Sequence, residues 1–127
     1  MRNGILARTT TAALAAAAAL VLATASMASA YPAGSSTAVA PTYDGVNLRY
    51  LVKCNFTGWS GVKVNATCTL KDGYTGQSFG SRSVSFSDGS ESVSFYVSRN
   101  AAQQYVCTNA FAGYADGSSS KSGRACR

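Results

Sequence analysis

The segment Leu48-Arg49-Tyr50-Leu51-Val52-Lys53-Cys54-Asn55-Phe56-Thr57-Gly58-Trp59-Ser60-Gly61-Val62-Lys63-Val64-Asn65-Ala66-Thr67-Cys68-Thr69-Leu70-Lys71 carries two β-strands around a turn. In the first half Leu48, Tyr50, Val52, Cys54 and Phe56 alternate with Arg49, Leu51, Lys53, Asn55 and Thr57. In the second, Val62, Val64, Ala66, Cys68 and Leu70 alternate with Lys63, Asn65, Thr67 and Thr69. A period of two places one face of each strand in a core and the other in water. A three-residue loop of Trp59, Ser60 and Gly61 joins the two as a hairpin, pairing Phe56 with Val64 and Asn55 with Asn65. In that register Cys54 faces Ala66 and lies diagonal to Cys68, so a bridge between these cysteines needs a longer loop or a bulge. Arg49, Lys53, Lys63 and Lys71 then share one cationic, hydroxyl-rich outer face, suited to solvent or to an acidic polymer.

Further along, Asp88-Gly89 supplies a second hairpin turn, pairing Val84 with Val93, Arg82 with Phe95 and Phe86 with Glu91. The reverse face sets Ser83, Ser85 and Ser87 against Ser94, Ser92 and Ser90, with Tyr96 beside Ser81. Residues 103–112 and 119–126 add two strands joined through Asp116-Gly117, and Ala101-Ala102-Gln103-Gln104 has the composition of a single helical turn. Short strands at regular spacing predict an all-β antiparallel sandwich of six or seven strands. Tyr105 stands two residues before Cys107, which resembles the tyrosine corner of immunoglobulin-like sandwiches and implies that architecture.

Working outward to the start, residues 1–30 have the pattern of an export signal: Arg2 and Arg8, an uncharged Ala/Leu/Val stretch, then Ala28-Ser29-Ala30 as a cleavage site. The apolar run is shorter than the roughly 20 residues a membrane span needs. Residues 31–43, rich in Ala, Ser, Thr and Pro without period, are expected to be a flexible leader, and 44–127 the domain. A mature chain of this size buries a modest fraction of its surface and needs covalent help. Cys54, Cys68, Cys107 and Cys126, an even set in an exported chain, predict two disulfides rather than a metal site. Three connectivities are open; the tyrosine corner and the hairpin register suit Cys68–Cys107 with Cys54–Cys126.

The chain has no histidine, which removes the commonest general base and the imidazole partner of a Ser or Cys nucleophile. Asp44, Asp72, Asp88 and Asp116 all precede glycine, as turn residues do, leaving Glu91 alone for acid chemistry. No Cys-x-x-Cys pair or glycine-rich phosphate loop is present. The expected function is therefore binding, without catalysis, cofactor or metal. All but two of the eleven Lys/Arg follow residue 30 and outnumber the five acids, yet they are dispersed along the chain, unlike the clustered charge of a nucleic-acid surface.

Trp59, between glycines at a hairpin tip, is the leading contact residue, with Ser60 beside it; its alternative role is a plug in the open end of the sandwich. A loop closed by Cys107 and Cys126 would present Tyr114 and Lys121, with Lys121-Ser122 offered to a protease cleft. Tyr74, Tyr96 and Tyr114 are the candidate stacking platforms for a polysaccharide. The Ala-rich leader, four cysteines and a hairpin-tip Trp resemble the small two-disulfide sandwiches exported by actinobacteria, tendamistat-type α-amylase inhibitors in particular. Those carry Trp-Arg-Tyr at the tip where this chain has Trp59-Ser60-Gly61, so the resemblance covers architecture and one side chain. It implies local disulfides, Cys54–Cys68 and Cys107–Cys126, and inhibition of an extracellular hydrolase; the chain is expected to be a monomer. A carbohydrate or cell-wall binder is the alternative, and a cationic toxin or antimicrobial a further one.

Overall fold

The computed structural model describes residues 31–99 and 105–127, so the export signal and the turn expected at residues 101–104 lie outside the described residues. Seven antiparallel strands form two sheets: β1 (Ser35–Asp44), β2 (Arg49–Thr57), β3 (Val64–Asp72), β4 (Ser78–Phe86), β5 (Glu91–Ser98), β6 (Val106–Tyr114) and β7 (Ser120–Cys126). One sheet has the order β1-β2-β5 and the other β4-β3-β6-β7. This is an immunoglobulin-like sandwich whose fourth strand is hydrogen-bonded to the third, on the four-stranded side.

The alternating residues of the first strands do face a common core, but across the sandwich rather than side by side. β2 pairs with β5, placing Cys54 beside Val93, while β3 pairs with β4 and β6, placing Val64 beside Phe86 and Tyr114. The expected hairpins at Trp59-Ser60-Gly61 and at Asp88-Gly89 are therefore both corrected: each of these connections carries the chain from one sheet to the other. Alternation fixes which face is buried, and two apolar faces can meet equally well in a hairpin or face to face. The two connections lie together, with the Trp59 amide donating to the Gly89 carbonyl at 3.0 Å. One consequence is that Arg49 and Lys53 stand in the three-stranded sheet and Lys71 in the other, which divides the expected cationic face. The serine face divides in the same way.

Residues 31–43 are corrected as well. They contain most of β1, whose Ala38 pairs with Cys54 and whose register shifts between Val39 and Thr42, around Pro41. A proline is tolerated there because β1 is an edge strand. That edge runs against β7, so close that a Cβ at Gly123 would strike the Ser36 carbonyl. Gly123→Ala is accordingly expected to push β1 away and destabilise the domain by about 1–3 kcal/mol, as an overpacked core does. Thermal unfolding checks this, and an unchanged Tm would remove β1 from the cooperative unit.

Tyr50, Val52, Phe56, Val64, Leu70 and Val106 are fully buried and fill the space between the sheets. Cys54 bridges to Cys68 through this core, joining β2 to β3 with a Cα–Cα distance of 5.9 Å. Cys107 bridges to Cys126, its direct partner in the β6–β7 pair, as the hairpin through Asp116-Gly117 allows. Both disulfides are thus the local ones, and the pairing suggested by the tyrosine corner does not form.

Candidate functional site

Of the expected contact residues, Trp59 is only 5 % exposed and is a plug, not a contact. Its indole Nε1 donates to the Ser35 carbonyl at 3.2 Å, and its ring meets Tyr114 edge-on with centroids 5.1 Å apart. Gly34 leaves no room for a Cβ beside that ring. Tyr114, 4 % exposed, is equally structural: its hydroxyl donates to the Pro32 carbonyl at 2.7 Å and accepts from the Ser60 amide at 2.9 Å. Trp59, Ser60 and Tyr114 therefore form one cluster that closes an end of the sandwich beneath residues 31–35. The physical reason is β1 itself, which brings the chain across a tip that would be open without it.

Lys121 and Ser122 are also corrected, since they belong to β7 and pair with Ala112 and Phe111 rather than standing in a free loop. Tyr96 is 53 % exposed on the outer face of the three-stranded sheet. The Arg49 guanidinium covers its ring at 3.7 Å, and Arg49 in turn pairs with Asp44 at 3.4 Å. Tyr74, like Tyr96, is exposed as expected, and more fully, at 85 %.

What holds Tyr74 out is the turn between β3 and β4, at the far end of β3 from Trp59. The Asp72 carboxylate Oδ1 accepts the amides of Tyr74 and Thr75 at 2.8 and 2.9 Å, and Gly76 closes the turn in the left-handed region with φ of 77°. Such an Asx turn satisfies the backbone locally and leaves the next side chain facing solvent. The Tyr74 ring packs on Tyr105, with centroids 4.9 Å apart and a tilt of 60°. Tyr105 lies so close over Gly73 that any Cβ there would strike it. The Gly73 amide also donates to the Tyr105 carbonyl at 2.8 Å.

Below this aromatic pair is a groove of about 400 Å³, lined by Lys71, Asp72, Tyr74, Thr75, Asn109 and Arg124 among others. Asn109 and Arg124 are direct partners on β6 and β7 and both belong to the outer face. The Arg124 guanidinium lies 3.4 Å from the Gly73 carbonyl and 3.3 Å from Cys107 Sγ, so the β6–β7 disulfide braces the groove. Asn109 Oδ1 is shielded within the protein and has no hydrogen-bond partner among the described residues. Two residues along the same strand face, Phe111 is 50 % exposed between Thr67 and Ser122. The polar surround continues across β3 and β4, where Thr67 and Ser83 hydroxyls are 3.0 Å apart and Ser85 donates to Asn65 Oδ1 at 2.7 Å.

Tyr105, Asn109, Phe111 and Arg124 were not singled out as contacts from sequence. The one available signal was Phe111, a large apolar residue out of phase with Val106, Ala110 and Ala112, which fill the core side of β6. Among the described residues no three His, Cys, Asp or Glu side chains gather as a metal site would require.

The Thr75 and Tyr74 amides that Asp72 accepts hold its carboxyl below the ordinary value of 3.8. A lowered carboxylate pKa stabilises the turn above the unfolded value and releases that stabilisation as pH falls through the folded one. The Tyr74 and Thr75 amide resonances are therefore expected to titrate with a midpoint below 3.8, the turn loosening only in stronger acid. A midpoint at or above that value would mean that the carboxylate does not hold the turn.

Fold and surface together define an all-β, two-disulfide, immunoglobulin-like sandwich with a polar, aromatic-topped groove on its four-stranded sheet. Compared with protein-family models, curated proteins and solved structures, the chain matches none.

Proposed function

We propose that this chain is an extracellular, non-enzymatic binding module whose contact surface is the outer face of the four-stranded sheet, centred on the groove beneath Tyr74. The observation that carries it is an exposed tyrosine, fixed by its turn and by Tyr105, above a groove lined by Lys71, Thr75, Asn109 and Arg124. A rigid aromatic beside a few convergent polar groups is the usual make-up of a recognition site. Export is supported by the leader sequence and by two disulfides, which suit an oxidising compartment.

Against catalysis stand the lack of histidine and the occupation of the aspartates. Asp44, Asp72, Asp88 and Asp116 each accept backbone amides in their own turns, from Val46 and Asn47, Tyr74 and Thr75, Ser90, and Ser118. Inhibition of an extracellular hydrolase remains a reading of the same module, but its two expected contact elements are a buried plug and a paired strand. The face that remains suits a polysaccharide better than a protease cleft.

Tyr74→Ala is expected to weaken capture of the partner from culture fluid or insoluble polysaccharide at least tenfold and to leave the Tm unchanged. Undiminished capture would move the contact surface away from the groove.

A further inference from the structure

The geometry points to an acidic saccharide, a chain bearing uronic-acid carboxylates, as the ligand of this groove; the inference rests on the binding-module reading above. Tyr74 offers a flat, solvent-facing ring, and the C–H face of a pyranose is an apolar surface of matching size. The groove beside the ring is lined by the polar side chains of Thr75 and Asn109 as well as by charged ones, as a hydroxyl-rich ligand requires.

Charge narrows the class further. The groove is lined by two cations, Lys71 and Arg124, and by a single carboxylate, Asp72, whose Oδ1 already accepts two turn amides. Among the described residues, Arg124 contacts only weak acceptors, a carbonyl at 3.4 Å and a disulfide sulfur at 3.3 Å. A guanidinium so placed retains donors for a carboxylate, which its fork engages in bidentate fashion. Along the same face, Phe111 and the Ser and Thr hydroxyls of β3, β4 and β7 extend the contact surface for further sugar units. A protein partner would gain little here, because the surround is hydroxyl-rich and the apolar side chains stand apart.

Isothermal titration calorimetry of the disulfide-intact mature chain with an oligogalacturonate and with a neutral cello-oligosaccharide of equal length tests this. The oligogalacturonate is expected to bind at least tenfold more tightly, with an affinity that falls as salt rises. Tyr74→Ala should weaken both sugars at least tenfold, whereas Arg124→Gln should abolish the preference and spare the neutral sugar. Lys71→Gln, on the neighbouring strand β3, should reduce the preference even if the Arg124 variant folds poorly. Equal binding of the two sugars would overturn the acidic assignment. Binding of neither would overturn the saccharide assignment, and a hydrolase then captured through Tyr74 would leave the binding face standing.

Discussion

Trp59→Ala lowers the unfolding free energy by about 3–5 kcal/mol, the cost of emptying a buried aromatic site. The indole fills the end of the sandwich, carries the hydrogen bond to Ser35 and supports the Tyr114 ring. All of these are lost together. For a domain whose whole stability is on the order of 5–15 kcal/mol, the variant approaches the edge of folding. The Tm is expected to fall by at least about 12 °C, taking roughly 4 °C per kcal/mol as the lower bound for this size. Trp59→Phe, which keeps most of the volume but not the donor, should cost less and should leave groove binding intact. Urea unfolding of both variants checks the ordering. A Trp59→Ala variant that stays stable but loses its partner would return the tip to the surface.

The second large effect concerns the disulfides, which are unequal despite similar loop lengths. Cys54 and Cys68 are separated by 14 residues and Cys107 and Cys126 by 19, so loop-closure entropy alone assigns each about 3 kcal/mol. The positions differ: Cys54 and Cys68 belong to the core cluster and join the two sheets, whereas Cys107, though buried, lies outside that cluster and joins Cys126 on the adjacent strand of one sheet. Replacing Cys54 and Cys68 by alanine leaves a void between the sheets in addition to the entropic loss. That double variant is expected to be the less stable of the two by at least about 1 kcal/mol, consistent with roughly 24 cal/mol per Å³ of unfilled core. Replacing Cys107 and Cys126 should act mainly on the groove, by freeing Arg124. Denaturant midpoints for the two pairs, measured side by side, decide the order; a reversed order would mean that the sheets hold together without their covalent link.

Strand identity was legible in the sequence, because alternation along Tyr50, Val52, Cys54 and Phe56 and along Val64, Ala66, Cys68 and Leu70 marks the buried faces directly. The β6–β7 hairpin was legible too, since Asp116-Gly117 lies between two runs that pair, and Gly117 has the positive φ such a turn uses. Strand partners were not. The connections through Trp59 and through Gly89 have the residues of tight hairpins, yet each spans the sandwich, and periodicity is the same in either case. The difficulty over the Cys54–Cys68 bridge was the one sequence clue, as a bridge awkward within a hairpin is natural between facing sheets.

β1 was missed because an edge strand of small and hydroxyl residues has little apolar contrast between its faces. That miss decided the fate of the site, since β1 and the residues before it are what bury Trp59 and Tyr114. Tyr74 was legible as an exposed aromatic next to a turn. Asn109, Phe111 and Arg124 become a site only when β6 and β7 are set beside that turn, which needs the register of the whole sheet.

The most direct test is amide chemical-shift mapping of the ¹⁵N-labelled mature chain as oligogalacturonate is added. Perturbations are expected to cluster on Tyr74, Thr75, Asn109, Phe111 and Arg124, at one end and along the outer face of the four-stranded sheet. Perturbations centred instead on Gly58, Trp59 and Ser60, with the groove unmoved, would contradict the assignment of the binding face.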